Sequence, residues 1–210
     1  MTAPSYQLDQ NEALKGSGGG GGMIDTGGPY IVQIKTAKHR TNQNGTQGVE
    51  LSLEADDGRT LRLTLWTQNN KGETIYGHNQ LQAVMTVLRL RNITPEQSQV
   101  EEYDPDQQDT VTVMRDVYPD LHKRVGVLLR REYYWNSNAG EHKISMKLVA
   151  PFEPDTKQTA AEVLHQKEAQ QLEKMIQGVR DQDPPQQQAS TQPVAESAAP
   201  SDDFDDDIPF

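Results

Sequence analysis

The sequence predicts a mostly β domain: a small Greek-key barrel with one helix between its third and fourth strands, a further C-terminal helix and disordered tails. Apolar and polar residues alternate between Tyr30 and Leu148, as half-buried strands require, and Asp57-Gly58 and Asn136-Ser137-Asn138-Ala139-Gly140 supply hairpin turns. One internal stretch, Leu81 to Leu88, repeats at helical spacing instead. Only 33% of the 210 residues are hydrophobic and the mean hydropathy is −0.82, so a single modest core is expected.

Residues 1–28 are expected to form a flexible N-terminal arm, because the run Gly16-Ser17-Gly18 to Gly22 has almost nothing to bury and much backbone freedom to lose. Met23 and Ile24 follow it where a phosphate-binding loop needs Lys-Ser or Lys-Thr. The domain proper is placed at 29–154. Tyr30 to Lys35 reads as the first strand; Val49, Leu51, Leu53 and Ala55 are the inward row of the second, and Leu61, Leu63 and Leu65 that of the third. Thr60, Arg62, Thr64 and Trp66 then face outward. Asn79 is the expected cap of a helix whose Leu81, Val84, Met85 and Leu88 share one face. Thr94 to Asp109 reads as an acidic, turn-rich loop, Thr110 to Met114 as a strand, and Lys123 to Trp135 with His142 to Leu148 as a long hairpin. Five or six hairpin-linked strands with one intervening helix form the pattern of an OB-like barrel, with a twisted sheet on one helix as the competing arrangement. Residues 155–180 are expected to be an amphipathic helix opened by the capping box Thr159-Ala160-Ala161-Glu162. A Gln/Pro-rich stretch, 181–201, is expected to be disordered, and 202–210 is an acidic tip.

The formal net charge of −11 is unevenly spread. Tyr30 to Ala150 holds 15 basic and 15 acidic residues, whereas Pro151 to Phe210 holds four basic and 13 acidic ones. The excess belongs to the tail, so the domain itself is not barred from polyanions. There are no cysteines, which removes disulfides, thiol catalysis and Cys-based metal centres. His39, His78, His122, His142 and His165 show no metal-ligand spacing, and neither HExxH nor GxSxG occurs. Alternation is expected to put Glu50 and Glu54 on a solvated strand face and Asp56 and Asp57 in a turn, so neither pair is expected to hold magnesium. No catalytic residue, metal or cofactor is expected. No apolar run approaches the ~20 residues a bilayer requires, and Met1 to Gln10 lacks a secretion signal. A cytoplasmic protein without membrane contact is expected.

The long hairpin interleaves aromatics and cations: Lys123, Arg124, Arg130, Arg131, Tyr133, Tyr134 and Trp135, then His142, Lys143 and Lys147. Single-stranded nucleic acid calls for that mixture, since cations follow the phosphates while ring faces stack on any base. Arg62 and Trp66 on the third strand, and Lys35, Lys38 and Arg40 at the end of the first, extend the candidate surface. Trp66 and Tyr134 lie on the parity opposite the apolar rows and are the preferred stacking positions. Tyr133 and Trp135 share the parity of Val125, Val127 and Leu129, which is equally the pattern of core residues.

The chain ends Asp202-Asp203-Phe204-Asp205-Asp206-Asp207-Ile208-Pro209-Phe210. Five aspartates precede an apolar group that has no local core to join, which makes the terminus a ligand for a basic-rimmed pocket on another protein. Asp203 to Phe210 resembles the C-terminal tip of bacterial single-stranded-DNA-binding proteins, whose domain is an OB fold and whose tip recruits repair and replication enzymes. Gly28-Pro29-Tyr30-Ile31-Val32, Leu65-Trp66 and Val149-Ala150-Pro151-Phe152-Glu153-Pro154 resemble a family of phage and prophage proteins encoded near recombination and replication genes. Together the resemblances imply a non-enzymatic protein that coats single-stranded DNA with little sequence preference. The implied partners are single-stranded DNA and, through the tip, helicases, nucleases and recombination factors; a homo-oligomer is compatible with this. Two alternatives stand beside it: a strand-annealing or recombination-mediator protein, and an adaptor or inhibitor that uses only its tip.

Overall fold

The computed structural model describes residues 21–183 apart from 105, 106 and 138. Within them the alternating stretches form seven antiparallel strands: β1 (Gly28–Thr41), β2 (Gln47–Ala55), β3 (Thr60–Gln68), β4 (Glu96–Asp104), β5 (Asp109–Val117), β6 (Arg124–Asn136) and β7 (Glu141–Phe152). Helix α1 (Tyr76–Val87) lies between β3 and β4, and α2 (Ala160–His165) and α3 (Gln171–Gly178) follow the last strand.

β1 is the spine. Along one edge it pairs with β2, from Val32 opposite Ala55 to Thr41 opposite Gln47. Along the other, its first part pairs with β6, from Gly28 opposite Leu129 to Gln33 opposite Arg124, and its far end meets β5 at Lys38 and Val117. β3 flanks β2 and β7 flanks β6, so the main path is β3-β2-β1-β6-β7, with the β4–β5 hairpin branching from the end of β1. β3 and β7 are not paired with each other, and the expected barrel is open along that seam.

The leucine rows close the interior as their spacing predicts: Leu61, Leu63 and Leu65 are buried with Val125, Val127 and Leu129, and α1 adds Leu81, Val84 and Met85. The helix starts at Tyr76 rather than at Asn79, and its cap position, Ile75, offers no side-chain bond. Tertiary contacts fix the start instead, because the Ile75 amide donates to Thr67 O at 3.0 Å and Gly77 lies against the backbone of Trp66. A smaller apolar cluster, Leu128, Phe152 and Leu172, packs α3 on the other face of β6.

Four expectations are corrected. Residues 94–109 are not a loop: Glu96 to Asp104 forms β4, whose backbone bonds to β5 outweigh a sequence with a single aliphatic residue, Val100. The predicted helix over 155–180 is two short helices, because Gln166 turns into the left-handed region after α2 and Glu162 then caps α3. The arm assigned to 1–28 is ordered before its end, since Ile24 is buried in the core and the segment bonds to Thr60 on both sides, Ile24 N to Thr60 O and Thr60 N to Gly22 O, each 2.9 Å. The stretch assigned to 181–201 begins with residues tied to β6. Asp181 accepts the amides of Gly27 and Arg131 at 2.8 Å each, and Gln182 N donates to Arg131 O at 3.0 Å.

Glu162 joins the two C-terminal helices. Its buried carboxylate accepts from Thr159 N at 2.8 Å, Thr159 Oγ1 at 2.9 Å, Gln170 N at 2.6 Å and Gln171 N at 2.8 Å, so one anion completes the capping box of α2 and caps α3. Burial pushes its pKa up, but the amides of Gln170, Thr159 and Gln171 outweigh that and hold it at about 2.

Candidate nucleic-acid interface

The open seam between β3 and β7 is a groove of about 920 Å³. Its floor is the edge of the core, Leu63 and Leu65 on one side and Met146 and Leu148 on the other. Met23 to Asp25 lie at one end and Ile75 to Gly77 at the opposite end. Alternation on β3 turns Arg62 and Trp66 outward along one bank, and alternation on the long hairpin brings Arg130, Glu132, Tyr134 and Lys147 to the other.

Five residues singled out from the sequence therefore meet here: Arg62, Trp66, Arg130, Tyr134 and Lys147. Tyr134 is 49% exposed and Trp66 half-buried, as stacking platforms must be. Arg130 and Lys147 are direct cross-strand neighbours. Like charges so placed destabilise a sheet unless an anion comes between or beside them. Arg130 is partly neutralised by its ion pair with Glu132, while Arg62 and Lys147 have no acidic partner among the described residues.

Tyr76 was missed. It is 70% exposed at the mouth of the groove, placed there by the loop that returns from β3, where Gln68 bridges to Thr74. A cue was available: an aromatic residue directly before a helical repeat and outside its apolar face.

The remaining cations do not join the groove. Lys38 is 9% exposed, with Nζ 3.1 Å from Glu50 and 2.6 Å from Glu102, and Arg40 Nε lies 3.6 Å from the same Glu50. Alternation alone gave no sign that Lys38 pins the β4–β5 hairpin to β1. Arg115, first, and Lys38 hold the Glu102 carboxyl at about 2. Lys35 pairs with Glu54 at 3.4 Å and Arg124 with Asp56, while Lys123 is exposed just ahead of β6, at the end far from Tyr134. Lys143 lies 3.5 Å from Glu141.

Arg131, Tyr133 and Trp135 occupy the opposite face of β6 and do not line the groove. Trp135 is not core despite its parity: it is 58% exposed, because the hairpin extends beyond the last buried core residue, Met146 opposite Arg131. Its ring meets that of His142 edge to face, with centroids 5.0 Å apart. The Arg131 guanidinium sits 5.7 Å from the Tyr133 ring and its Nε 3.8 Å from Asp181.

Among the described residues no cluster of His, Asp and Glu is arranged to hold a metal, and no helix is long and apolar enough to cross a membrane. Asp202 to Phe210 lies outside the described residues. No protein-family model matches the chain, and no curated protein matches it.

Proposed function

We propose that the protein binds single-stranded DNA in the groove between β3 and β7, non-enzymatically and with little sequence preference, and recruits partner enzymes through Asp202 to Phe210. The observation that carries this reading is the convergence of three rings, Trp66, Tyr76 and Tyr134, with the cations Arg62 and Lys147 on one open seam. Exposed rings flanked by cations suit unpaired bases on a phosphate chain, because a ring can stack only on a base whose face is open.

The strand connections support an OB-like assignment. Three consecutive strands, a helix and a final hairpin, with the first strand between the second and the penultimate, follow the OB order once β4–β5 is treated as an insertion. The tip supports a division of labour: the groove holds DNA, while the terminal Ile208-Pro209-Phe210 and its aspartates meet a basic pocket on helicases, nucleases or recombination factors. Such a protein works in the cytoplasm of a bacterial cell.

Fluorescence anisotropy with labelled oligo-dT, at low and moderate salt and with duplex competitor, tests the reading. Tight, salt-sensitive binding that duplex fails to displace is expected. Equal competition by duplex would overturn the single-strand reading, and no binding would leave the tip as the only functional element and favour the adaptor alternative.

A further inference from the structure

The long hairpin is two-sided. Successive residues of a strand point to opposite faces, so the run Tyr133-Tyr134-Trp135 puts Tyr134 into the groove and the other two rings on the far side. The register fixes this across both strands: Tyr134 is opposite Lys143, whereas Tyr133 is opposite Ile144 and Trp135 opposite His142. β1 pairs with β6 only as far as Leu129, and Asp181 and Gln182 take its place only to Tyr133, whose amide donates to Gln182 Oε1 at 3.0 Å. Beyond that rung neither β1 nor Asp181 and Gln182 borders β6, and a 58% exposed tryptophan sits there with a histidine edge against it.

Resting on the function proposed above, we propose that this second face, built from Tyr133, Trp135, His142 and Arg131, binds a second segment of single-stranded nucleic acid while the groove holds the first. Part of the same chemistry recurs there: two rings to stack bases, and the guanidinium of Arg131 over one of them, its charge shared with Asp181. One strand cannot lie flat on Tyr134 and Trp135 together, because the sheet is between them. Two segments can, whether from two molecules or from one strand folded around the hairpin tip. The chemistry is shared, and the experiment separates the two sources.

The chain has two tryptophans, Trp66 in the groove and Trp135 on the second face, so each site carries its own reporter. In Trp66→Phe the emission reports on the second face, and in Trp135→Phe on the groove. Titration with oligo-dT of about 8 nucleotides, near the short end of OB site sizes, is expected to quench both. Adding Tyr134→Ala should weaken the Trp66 response about tenfold and leave the Trp135 midpoint in place. Two short oligonucleotides carrying donor and acceptor dyes should show energy transfer on the full-length protein that Trp135→Ala abolishes. If the segments come from one strand instead, Trp135→Ala shortens the length of oligo-dT covered per protein. Quenching of Trp66 without any response at Trp135 overturns the proposal and spares the groove. Silence at both overturns the two readings together. Should Trp135→Ala instead halve a mass measured by sedimentation, the face belongs to a second copy of the chain and the proposal fails.

Discussion

A Cβ placed on Gly77 would lie 2.1 Å from the carbonyl oxygen of Trp66. The first turn of α1 is thereby pressed onto β3 at the residue whose ring borders the groove, and this contact holds Tyr76 and Trp66 at the same end of it. Gly77→Val has to push the helix off the strand. A loss of about 1–3 kcal/mol in urea unfolding is expected, together with weaker oligo-dT binding.

The stacking rings should act without supporting the fold. Tyr134→Ala and Tyr76→Ala each remove an exposed ring, and each is expected to cost about 1–3 kcal/mol of single-strand affinity while the thermal midpoint stays within a degree or two. Full affinity in both variants would mean that the groove is not where bases stack.

Arg62 and Lys147 are expected to contribute charge rather than geometry. Replacing either by Gln should lower the slope of log K against log salt by about 0.7, the single-strand value for one phosphate. Lys35→Gln, on a strand away from the groove, serves as the control and should leave the slope unchanged.

Lys38 has the opposite character. Lys38→Met removes the buried cation that Glu50 and Glu102 share and leaves them only the partly exposed Arg40 and Arg115, and a loss of about 3 kcal/mol, the low end for a broken buried pair, is expected. Affinity for oligo-dT, measured under conditions where the variant is folded, should not change. Selective loss of DNA binding would instead return Lys38 to the interface the sequence assigned it to.

The two carboxylates held at about 2, Glu162 and Glu102, make stability depend on acid pH. Both lie below the ordinary glutamate value of 4.5, so their stabilisation is complete above pH 4.5 and is lost as pH falls from there toward 2. Glu162→Gln removes an anion that four donors share. It is expected to flatten the acid limb of a pH-stability curve and to loosen α3, seen as faster amide exchange in residues 171–178.

Much of the body was legible because its residues obey one period at a time. Leu61, Leu63 and Leu65 alternate without interruption, and Arg62 and Trp66 follow onto the other face by necessity. Tyr134 was placed by the same rule. What escaped depended on neighbours distant in sequence. β4 carries too few aliphatic residues to announce a strand and exists through β5. Lys38 reads as a solvated cation until Glu102, 64 residues away, is brought beside it. Trp135 shares the parity of the core, and only the length of the hairpin relative to the body decides that it is exposed. Tyr76 depends on where a loop returns, which no local period records.

Asp181 ties the amides of Gly27 and Arg131 together, and Gln182 continues the contact to Tyr133. The anchor has a mechanical side. A partner that grips the chain beyond residue 183 and pulls will load these few bonds before any of the leucine rows, and the load arrives on the strand that bears Tyr133, Tyr134 and Trp135. Tension applied there is thus delivered to the β6–β7 hairpin rather than to the core; on the function proposed above, a partner pulling from that side would loosen the hold on the DNA.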